Sequence, residues 1–258
     1  MLLAEKVLLV AGVGPGLGQA IAVRAAQHGA DLVLAARTGS LLTEVAGKVQ
    51  AAGRRALAVP TDLTDDAAVQ RLVDAALGEY GRVDALVQNA FAMPPMRSLG
   101  KVDLDELRSG FDANVLAALN TIRLCTPALI ASGGAVVVVN SAVLRHSRRP
   151  FGPYKVVKAG LLAVAQNLAS ELGPKGVRVN SVAPGWIWAD TLRAWFAYQA
   201  AQRGVPARQI YDEIAAATDL RRLPEPEEVA DAILFLASDL ARGITGACLD
   251  VNCGEFHH

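Results

Sequence analysis

The sequence predicts an α/β fold in one domain, residues 1–258, built on a doubly wound and mostly parallel sheet of seven strands. Apolar runs rich in Val, Leu and Ala alternate with stretches of helical period, as in a parallel sheet that helices cover on both faces. No Pro-rich or Ser-rich linker divides the chain, and 258 residues is within the range of one α/β domain. Hydrophobic residues make up 52% of the chain, which is enough for a large core.

Seven short apolar runs are the predicted strands, and six periodic stretches are the predicted helices. The strands are expected at residues 6–11, 31–35, 55–59, 83–88, 135–140, 177–182 and 247–251. The helices are expected at residues 17–28, 41–52, 65–80, 104–130, 154–172 and 226–237. Glycine follows four of these helices and predicts a left-handed cap at each end: Gly29, Gly53, Gly81 and Gly173.

Charge and cysteine content exclude several classes of partner. Lys and Arg together number 25, as do Asp and Glu, so no net charge attracts nucleic acid or an anionic membrane. The apolar runs are shorter than the roughly 20 residues that span a bilayer, and no signal-peptide pattern is visible, so we expect a cytoplasmic protein. Cys125, Cys248 and Cys253 form no Cys-x-x-Cys pair. We therefore expect reduced thiols and no metal site.

Four glycines join the first predicted strand to the first predicted helix: Gly12, Gly14, Gly16 and Gly18. Such a turn lets the backbone approach a pyrophosphate at the positive end of a helix. No Lys-Ser or Lys-Thr pair follows, which disfavours a P-loop NTPase. The turn by itself indicates a dinucleotide site, with a purely structural turn as the alternative.

Four polar residues in the middle of the chain are the candidate catalytic set. Tyr154 and Lys158 form Tyr-x-x-x-Lys in the fifth predicted helix, where positions four apart share a face. Ser141 follows the fifth predicted strand, and Asn114 lies within the long predicted helix of residues 104–130. Each alone is compatible with a turn or a solvated helix face, so the hypothesis rests on the four together.

With the spacing of the glycines in the first turn, this set resembles the short-chain dehydrogenase/reductase family over essentially the whole chain. The resemblance implies a Rossmann-type fold and an oxidoreductase that interconverts a secondary alcohol and a ketone or aldehyde, using NADP or NAD. It also implies a set of cofactor-binding residues: Gly12, Gly16, Leu17, Gly18, Arg37, Asp62, Leu63, Asn89, Ala90, Tyr154, Lys158, Pro184, Gly185 and Ile187.

The resemblance also implies a role for each catalytic residue. Tyr154 is the proton donor and acceptor, and Ser141 binds the substrate oxygen. Lys158 holds the nicotinamide ribose, and Asn114 holds a water that links Lys158 to solvent. A free phenol has a pKa of about 10, so work near neutrality needs a shift worth about 4 kcal/mol. One cation at about 4 Å supplies a similar amount at an effective dielectric of 20, so Lys158 is expected to be sufficient.

The end of the second predicted strand indicates the choice of dinucleotide. NAD sites usually place Asp or Glu there to bind the ribose 2′-hydroxyl. Ala36 stands at that position, and Arg37 follows it with a guanidinium that suits a 2′-phosphate. We therefore expect NADP to be preferred and NAD to remain possible.

Residues 186–222 break the alternation of strands and helices and contain six of the chain's aromatic residues, so they predict a substrate-binding insertion. We expect a bulky, largely apolar substrate, with packing or an interface as the alternative use of the aromatics. The candidate pocket walls are Phe91, Leu144, His146, Phe151, Trp186 and Trp188.

Two positions depart from the family pattern near the expected nicotinamide. Phe91 replaces the usual glycine after Asn89 and Ala90. Ala189 replaces a common threonine, for which Thr191 is a nearby substitute. The resemblance further implies a homotetramer, or at least a dimer, through the helices of residues 104–130 and 154–172. A non-catalytic dinucleotide-binding regulator and a lyase or epimerase on the same scaffold are the alternative functions.

Overall fold

The computed structural model describes residues 1–257 and contains one seven-stranded sheet whose strand pairs are all parallel. The strands are β1 Val7–Ala11, β2 Asp31–Ala36, β3 Ala56–Pro60, β4 Ala85–Gln88, β5 Ala135–Val139, β6 Arg178–Pro184 and β7 Cys248–Val251. Their order is β3-β2-β1-β4-β5-β6-β7, so the winding direction reverses between β1 and β4. The predicted doubly wound fold is confirmed.

Helices cover both faces of this sheet. They are α1 Leu17–Gln27, α2 Gly39–Ala51, α3 Asp66–Tyr80, α4 Leu104–Phe111, α5 Ala117–Ser132, α6 Gly152–Leu172, α7 Asp190–Arg203, α8 Ala207–Ala215 and α9 Pro226–Ala237. One core lies under α1, α2 and α9 and includes Val10, whereas the other lies under α3, α5 and α6 and includes Leu9. Neighbouring residues of β1 thus point into opposite cores, because side chains alternate along a strand.

The long helix predicted at residues 104–130 is interrupted. It consists of α4, a π-helical turn at Asp112–Leu116, and α5. Asn114 lies in that turn, and its side chain forms hydrogen bonds with the backbone of Ala92 and Gly110.

By length and composition the run Leu104–Ser132 could cross a membrane, with a mean hydropathy of 1.5. Its buried residues, such as Ile122, instead pack against the sheet as in the core helix of a soluble protein.

Two further features differ from or extend the predictions. Gly173 has φ of −53°, so it is not the left-handed cap that the sequence predicts. A 3₁₀ turn, Gly173–Lys175, follows the helix, and the left-handed residue is Gly176.

Residues 186–222 contain α7 and α8 and no strand. These two helices enclose a small core of their own around Phe196 and Ile210.

Candidate active site

The carboxyl ends of the strands meet at one edge of the sheet, and two cavities lie there. Ligands of doubly wound folds bind at this edge, where the strand order reverses. The first cavity, of about 420 Å³, lies beside β1, β2 and β4. The second, of about 500 Å³, lies beside β5 and β6.

The glycine-rich turn forms a tight cradle between β1 and β4. Gly12 has φ of +103°, and a Cβ there would lie 2.2 Å from the backbone nitrogen of Ala90. A Cβ on Gly18 would lie 2.7 Å from the Gly12 carbonyl oxygen. Asn89 Nδ2 donates a hydrogen bond of 2.6 Å to that same oxygen. Glycine is required at both positions, as expected where a backbone must approach a ligand closely.

The amino end of α1 is suited to a pyrophosphate. Gly16, with φ of +86°, precedes the first helical residue, Leu17. No side chain caps this end, and the first turn contains no acidic residue. The free N–H groups and the helix dipole therefore favour an anion at this point. Together with the cradle, these features fit a dinucleotide.

Most predicted cofactor residues are brought together in the first cavity. Its lining includes Gly12, Leu17, Gly18, Arg37, Asp62, Leu63, Asn89 and Ala90. Gly16 lies in the adjoining turn and does not line the cavity. The Asp62 carboxylate accepts hydrogen bonds from the backbone and hydroxyl of Thr64, which lower its pKa, and Arg37 lowers it further. This acid is therefore an anion at neutral pH.

Four more predicted cofactor residues line the second cavity together with catalytic and substrate candidates, whereas Lys158 lines neither cavity. The predicted residues found there are Ser141, His146, Phe151, Tyr154, Pro184, Gly185, Trp186 and Ile187. The dinucleotide site and the candidate catalytic hydroxyls therefore adjoin one another at the same edge of the sheet.

Three predicted pocket walls lie elsewhere. Phe91 lines the first cavity. Leu144 lies outside the second cavity, where its neighbour Val143 forms the wall instead. Trp188 turns into the aromatic core of the insertion, with its ring centroid 4.7 Å from that of Tyr211.

The predicted insertion supplies further walls of the second cavity, Thr191, Leu192 and Trp195, and the walls that the sequence did not indicate include Met93, Met96, Glu255 and Phe256. The Glu255 side chain is 7% exposed, and burial raises its pKa, whereas Arg148 at 3.7 Å and a hydrogen bond with Trp186 oppose this rise. Glu255 follows β7, so its place at the carboxyl edge of the sheet was the available signal. Within residues 1–257 no group of three His, Cys, Asp or Glu side chains could hold a metal ion.

The hydroxyl-bearing side chains of Tyr154 and Ser141 both line the second cavity. Burial raises the pKa of Tyr154, and the interaction of its hydroxyl group with the Ser141 side chain opposes that rise. Ser141 Oγ also accepts a hydrogen bond of 3.2 Å from the backbone nitrogen of Val143, which fixes its position. In the protein alone, Tyr154 therefore holds its proton at neutral pH.

Lys158 lies in the interior with only 3% of its surface exposed. Its Nζ donates a hydrogen bond of 2.9 Å to the Val139 carbonyl oxygen. Burial lowers the pKa of Lys158 to about 7. Nζ lies 6.0 Å from the centroid of the Tyr154 ring.

Asn114 is buried, and the structure shows three hydrogen bonds for its side-chain amide. Oδ1 accepts from the Ala92 nitrogen at 2.9 Å, and Nδ2 donates to the carbonyl oxygens of Ala92 and Gly110. The side chain thus ties the π turn to the segment that follows β4. The water relay implied for Asn114 stays a prediction.

Comparison with known proteins agrees with this geometry. A family model described as enoyl-(acyl carrier protein) reductase matches residues 12–255. The chain belongs to the short-chain dehydrogenase/reductase family. Its curated relatives in this family include cis-4-hydroxycyclohexanecarboxylate dehydrogenase of Sinomonas cyclohexanicum, at 35% identity over 97% of this chain and 96% of that protein. Another is L-rhamnose 1-dehydrogenase (NAD(P)+) of Sphingomonas sp. strain SKA58, at 33% identity over 99% and 98%.

Solved structures of the short-chain dehydrogenase/reductase family have the same architecture. Carveol dehydrogenase from Mycobacterium avium, in complex with NAD, is 27% identical with a TM-score of 0.91, and the match covers 98% of both chains. The protein is thus an oxidoreductase of this family that acts on alcohols or ketones and uses a nicotinamide dinucleotide.

Proposed function

We propose that the protein is an NADP-preferring dehydrogenase that interconverts a bulky secondary alcohol and its ketone, with Tyr154 as general acid and base. The observation that carries this proposal is that Tyr154 and Ser141 line the same cavity, which adjoins the glycine cradle. An alcohol oxygen held by these two hydroxyls would lie in the same cavity as Pro184, Gly185 and Ile187, the residues to which we assign the nicotinamide end of the dinucleotide.

The protein's own groups supply orientation and the proton. The dinucleotide, when bound, supplies or accepts the hydride. Ser141 donates a hydrogen bond to the substrate oxygen, where negative charge develops during ketone reduction. Tyr154 then gives its proton to that oxygen, or removes it in the oxidative direction. Lys158 lowers the cost of the phenolate through its positive charge.

The choice of NADP rests on the end of β2. Ala36, Arg37 and Thr38 line the first cavity, and no carboxylate occupies the Ala36 position. One relative is named for the use of NAD(P)+ and one similar structure holds NAD, so this chain's own residues must support the choice. The Arg37 guanidinium can form charge-assisted hydrogen bonds with a 2′-phosphate, worth about 1.5 to 3 kcal/mol.

The substrate proposal rests on the walls of the second cavity. Trp186 stacks on Trp195 with ring centroids 5.6 Å apart. Phe151 and Trp186 pack edge to face, with ring centroids 6.5 Å apart. Such walls favour a large apolar molecule. The insertion of residues 186–222 supplies the two tryptophans, so we assign it the role of substrate-binding segment.

The assembly proposal rests on exposed apolar residues. Leu104 on α4, Leu116 at the end of the π turn and Val156 on α6 are 61%, 49% and 37% exposed. A homotetramer in which these helices pair would cover them, because large apolar patches on a protein surface usually mark an interface. We also propose a cytoplasmic location, given the nicotinamide chemistry.

The test of catalysis is Tyr154→Phe, which removes the phenolic proton and keeps the ring. We expect loss of turnover on a panel of secondary alcohols and ketones, with dinucleotide affinity close to that of the parent. The panel includes an α,β-unsaturated thioester because of the description of the matching family model. Tyr80→Phe, on α3 outside both cavities, is the matched control. Activity of Tyr154→Phe within about tenfold of the parent would contradict the role of Tyr154.

The test of cofactor choice is Arg37→Ala. We expect NADPH affinity to fall by at least about tenfold and NADH affinity to change little. Fluorescence titration of the two reduced dinucleotides at low salt measures both constants, because salt screens exposed charges. Arg71→Ala, on α3 and 68% exposed, is the control for loss of one positive charge. A parent that prefers NADH, or equal weakening of both dinucleotides, would refute the assignment.

A further inference from the structure

Phe91, which stands where the family usually has glycine, lies between the two cavities. Its ring centroid is 5.2 Å from that of Tyr154, with the planes tilted by 54°. Lys158 Nζ lies 4.5 Å from the same ring centroid. The ring lines the first cavity, whereas Tyr154 lines the second. Phe91 therefore contacts both members of the Tyr-x-x-x-Lys pair from the cofactor side.

The surroundings of Lys158 give this contact its importance. Burial is the cause of the low pKa of Lys158, and no neighbouring charge contributes to it. Tyr154 is the titratable group that faces it from α6, and β5 presents the neutral Val139 carbonyl. The π turn buries the neutral Asn114 amide and leaves Asp112 exposed. The Phe91 face is thus the aromatic counterpart available to the buried ammonium besides Tyr154 itself.

We propose that Phe91 is a positioning residue of the active site: its ring face holds the Lys158 ammonium charged and in place, and its packing orients the Tyr154 ring. An aromatic face attracts a cation most strongly where water is excluded, as it is around Lys158. A glycine at this position has no side chain to make either contact. The proposal rests on the proposed roles of Tyr154 and Lys158.

Removal of the ring should move the titration of both residues. Without the π face, the charged form of Lys158 loses stabilisation, and its pKa falls further. The phenolate of Tyr154 then loses part of its nearby positive charge, so its pKa rises. A contact of this kind in a dry site corresponds to about one pH unit.

The experiment compares Phe91→Leu, which keeps an apolar side chain, with Phe91→Tyr, which keeps a π face. In Phe91→Leu we expect the pH profile of kcat for alcohol oxidation to move upward by about one unit. Phe91→Tyr should retain the parent profile. Tyr80→Leu is the matched control, because it removes a ring that also lies 4.5 Å from a cation, Arg55, near the amino ends of β2 and β3 and away from both cavities.

A second readout uses the protein without cofactor. Urea unfolding measures the free energy of unfolding at a series of pH values. As the pH is lowered, this free energy decreases until Lys158 becomes protonated in the folded state, and below that pH Lys158 no longer changes it. We expect Phe91→Leu to lower that pH by about one unit.

Unmoved curves in both readouts, or equal movement in Phe91→Tyr, would overturn the proposal. So would tighter dinucleotide binding with unmoved curves, since the ring would then only occupy the path of the cofactor. Tyr154→Phe, measured in parallel, separates the proposed function from the role of Phe91. If Tyr154→Phe is inactive and the Phe91→Leu curves do not move, only the role of Phe91 is refuted. Full activity of Tyr154→Phe refutes the proposed function, and the unfolding curves still decide the contact with Lys158.

Discussion

Lys158→Met removes a buried ammonium, and we predict that it changes how the stability of the fold depends on pH. The ordinary pKa of the group, 10.5, falls to about 7 in the folded protein because of burial. Between these values the unfolded chain holds a proton that the folded chain lacks, so stability decreases as pH falls. The penalty is absent above about 10.5 and complete below about 7.

The expected magnitude follows from this interval. Each pH unit corresponds to about 1.4 kcal/mol, so between about pH 9.5 and about pH 7 the Lys158 penalty grows by about 3 kcal/mol. Lys158→Met lacks the penalty at every pH. Its loss of the hydrogen bond to Val139 costs about 1 kcal/mol, which lowers its stability by a similar amount at both pH values. Relative to the parent, the variant therefore gains about 3 kcal/mol on going to the lower pH.

Urea unfolding of the cofactor-free protein at these two pH values, at one protein concentration, measures the difference. Lys175→Met, after α6 and exposed to solvent, is the control for loss of a lysine. The variant should also lack turnover, so it would be a stabilised and inactive protein at neutral pH. A stability difference between parent and Lys158→Met that does not change with pH would refute the reasoning.

Three further outcomes test the cradle, the cavity wall and the assembly. Gly12→Ala places a Cβ 2.2 Å from the Ala90 nitrogen at φ of +103°, so we expect a cost of about 3 kcal/mol or more and loss of dinucleotide binding. A parent-like melting temperature and affinity would contradict this strain. Trp195→Ala removes the ring stacked on Trp186, so KM should rise about tenfold for large substrates and stay unchanged for small ones. An unchanged KM for large substrates would mean that the ring serves packing only. Light scattering should show an assembly of several 27.0 kDa protomers, and a 27.0 kDa species at micromolar concentration would contradict the tetramer.

The sheet and its outer helices could be predicted because their signals are local. The apolar runs of β1 and β5 are short and continuous, which is typical of buried strands rather than of helices. Glycine marks the ends of α1 and α3. The π turn at Asn114 could not be predicted in this way. It depends on hydrogen bonds with Ala92, which is 22 residues earlier in the chain.

In the candidate site, too, residues with a local signal could be predicted, and residues placed by distant contacts could not. Tyr154 and Lys158 share a helix face, so their spacing is visible in the sequence. Phe91 was expected in the substrate pocket and instead lies over Lys158, because its direction depends on how the segment after β4 leaves the sheet. Glu255 reaches the cavity from the far end of the chain, and only the common edge of parallel strands connects it with Trp186.

The small core around Phe196, Ile210 and Leu223 is packed separately from the two cores that flank the sheet. A change in α7 or α8 therefore perturbs contacts that the dinucleotide cradle does not share. Directed evolution of substrate range can exploit this separation, because libraries at Leu192 or Trp195 change the wall of the cavity and leave the two cores that flank the sheet intact. The same separation gives natural lineages a way to acquire new substrates without rebuilding the machinery for hydride transfer.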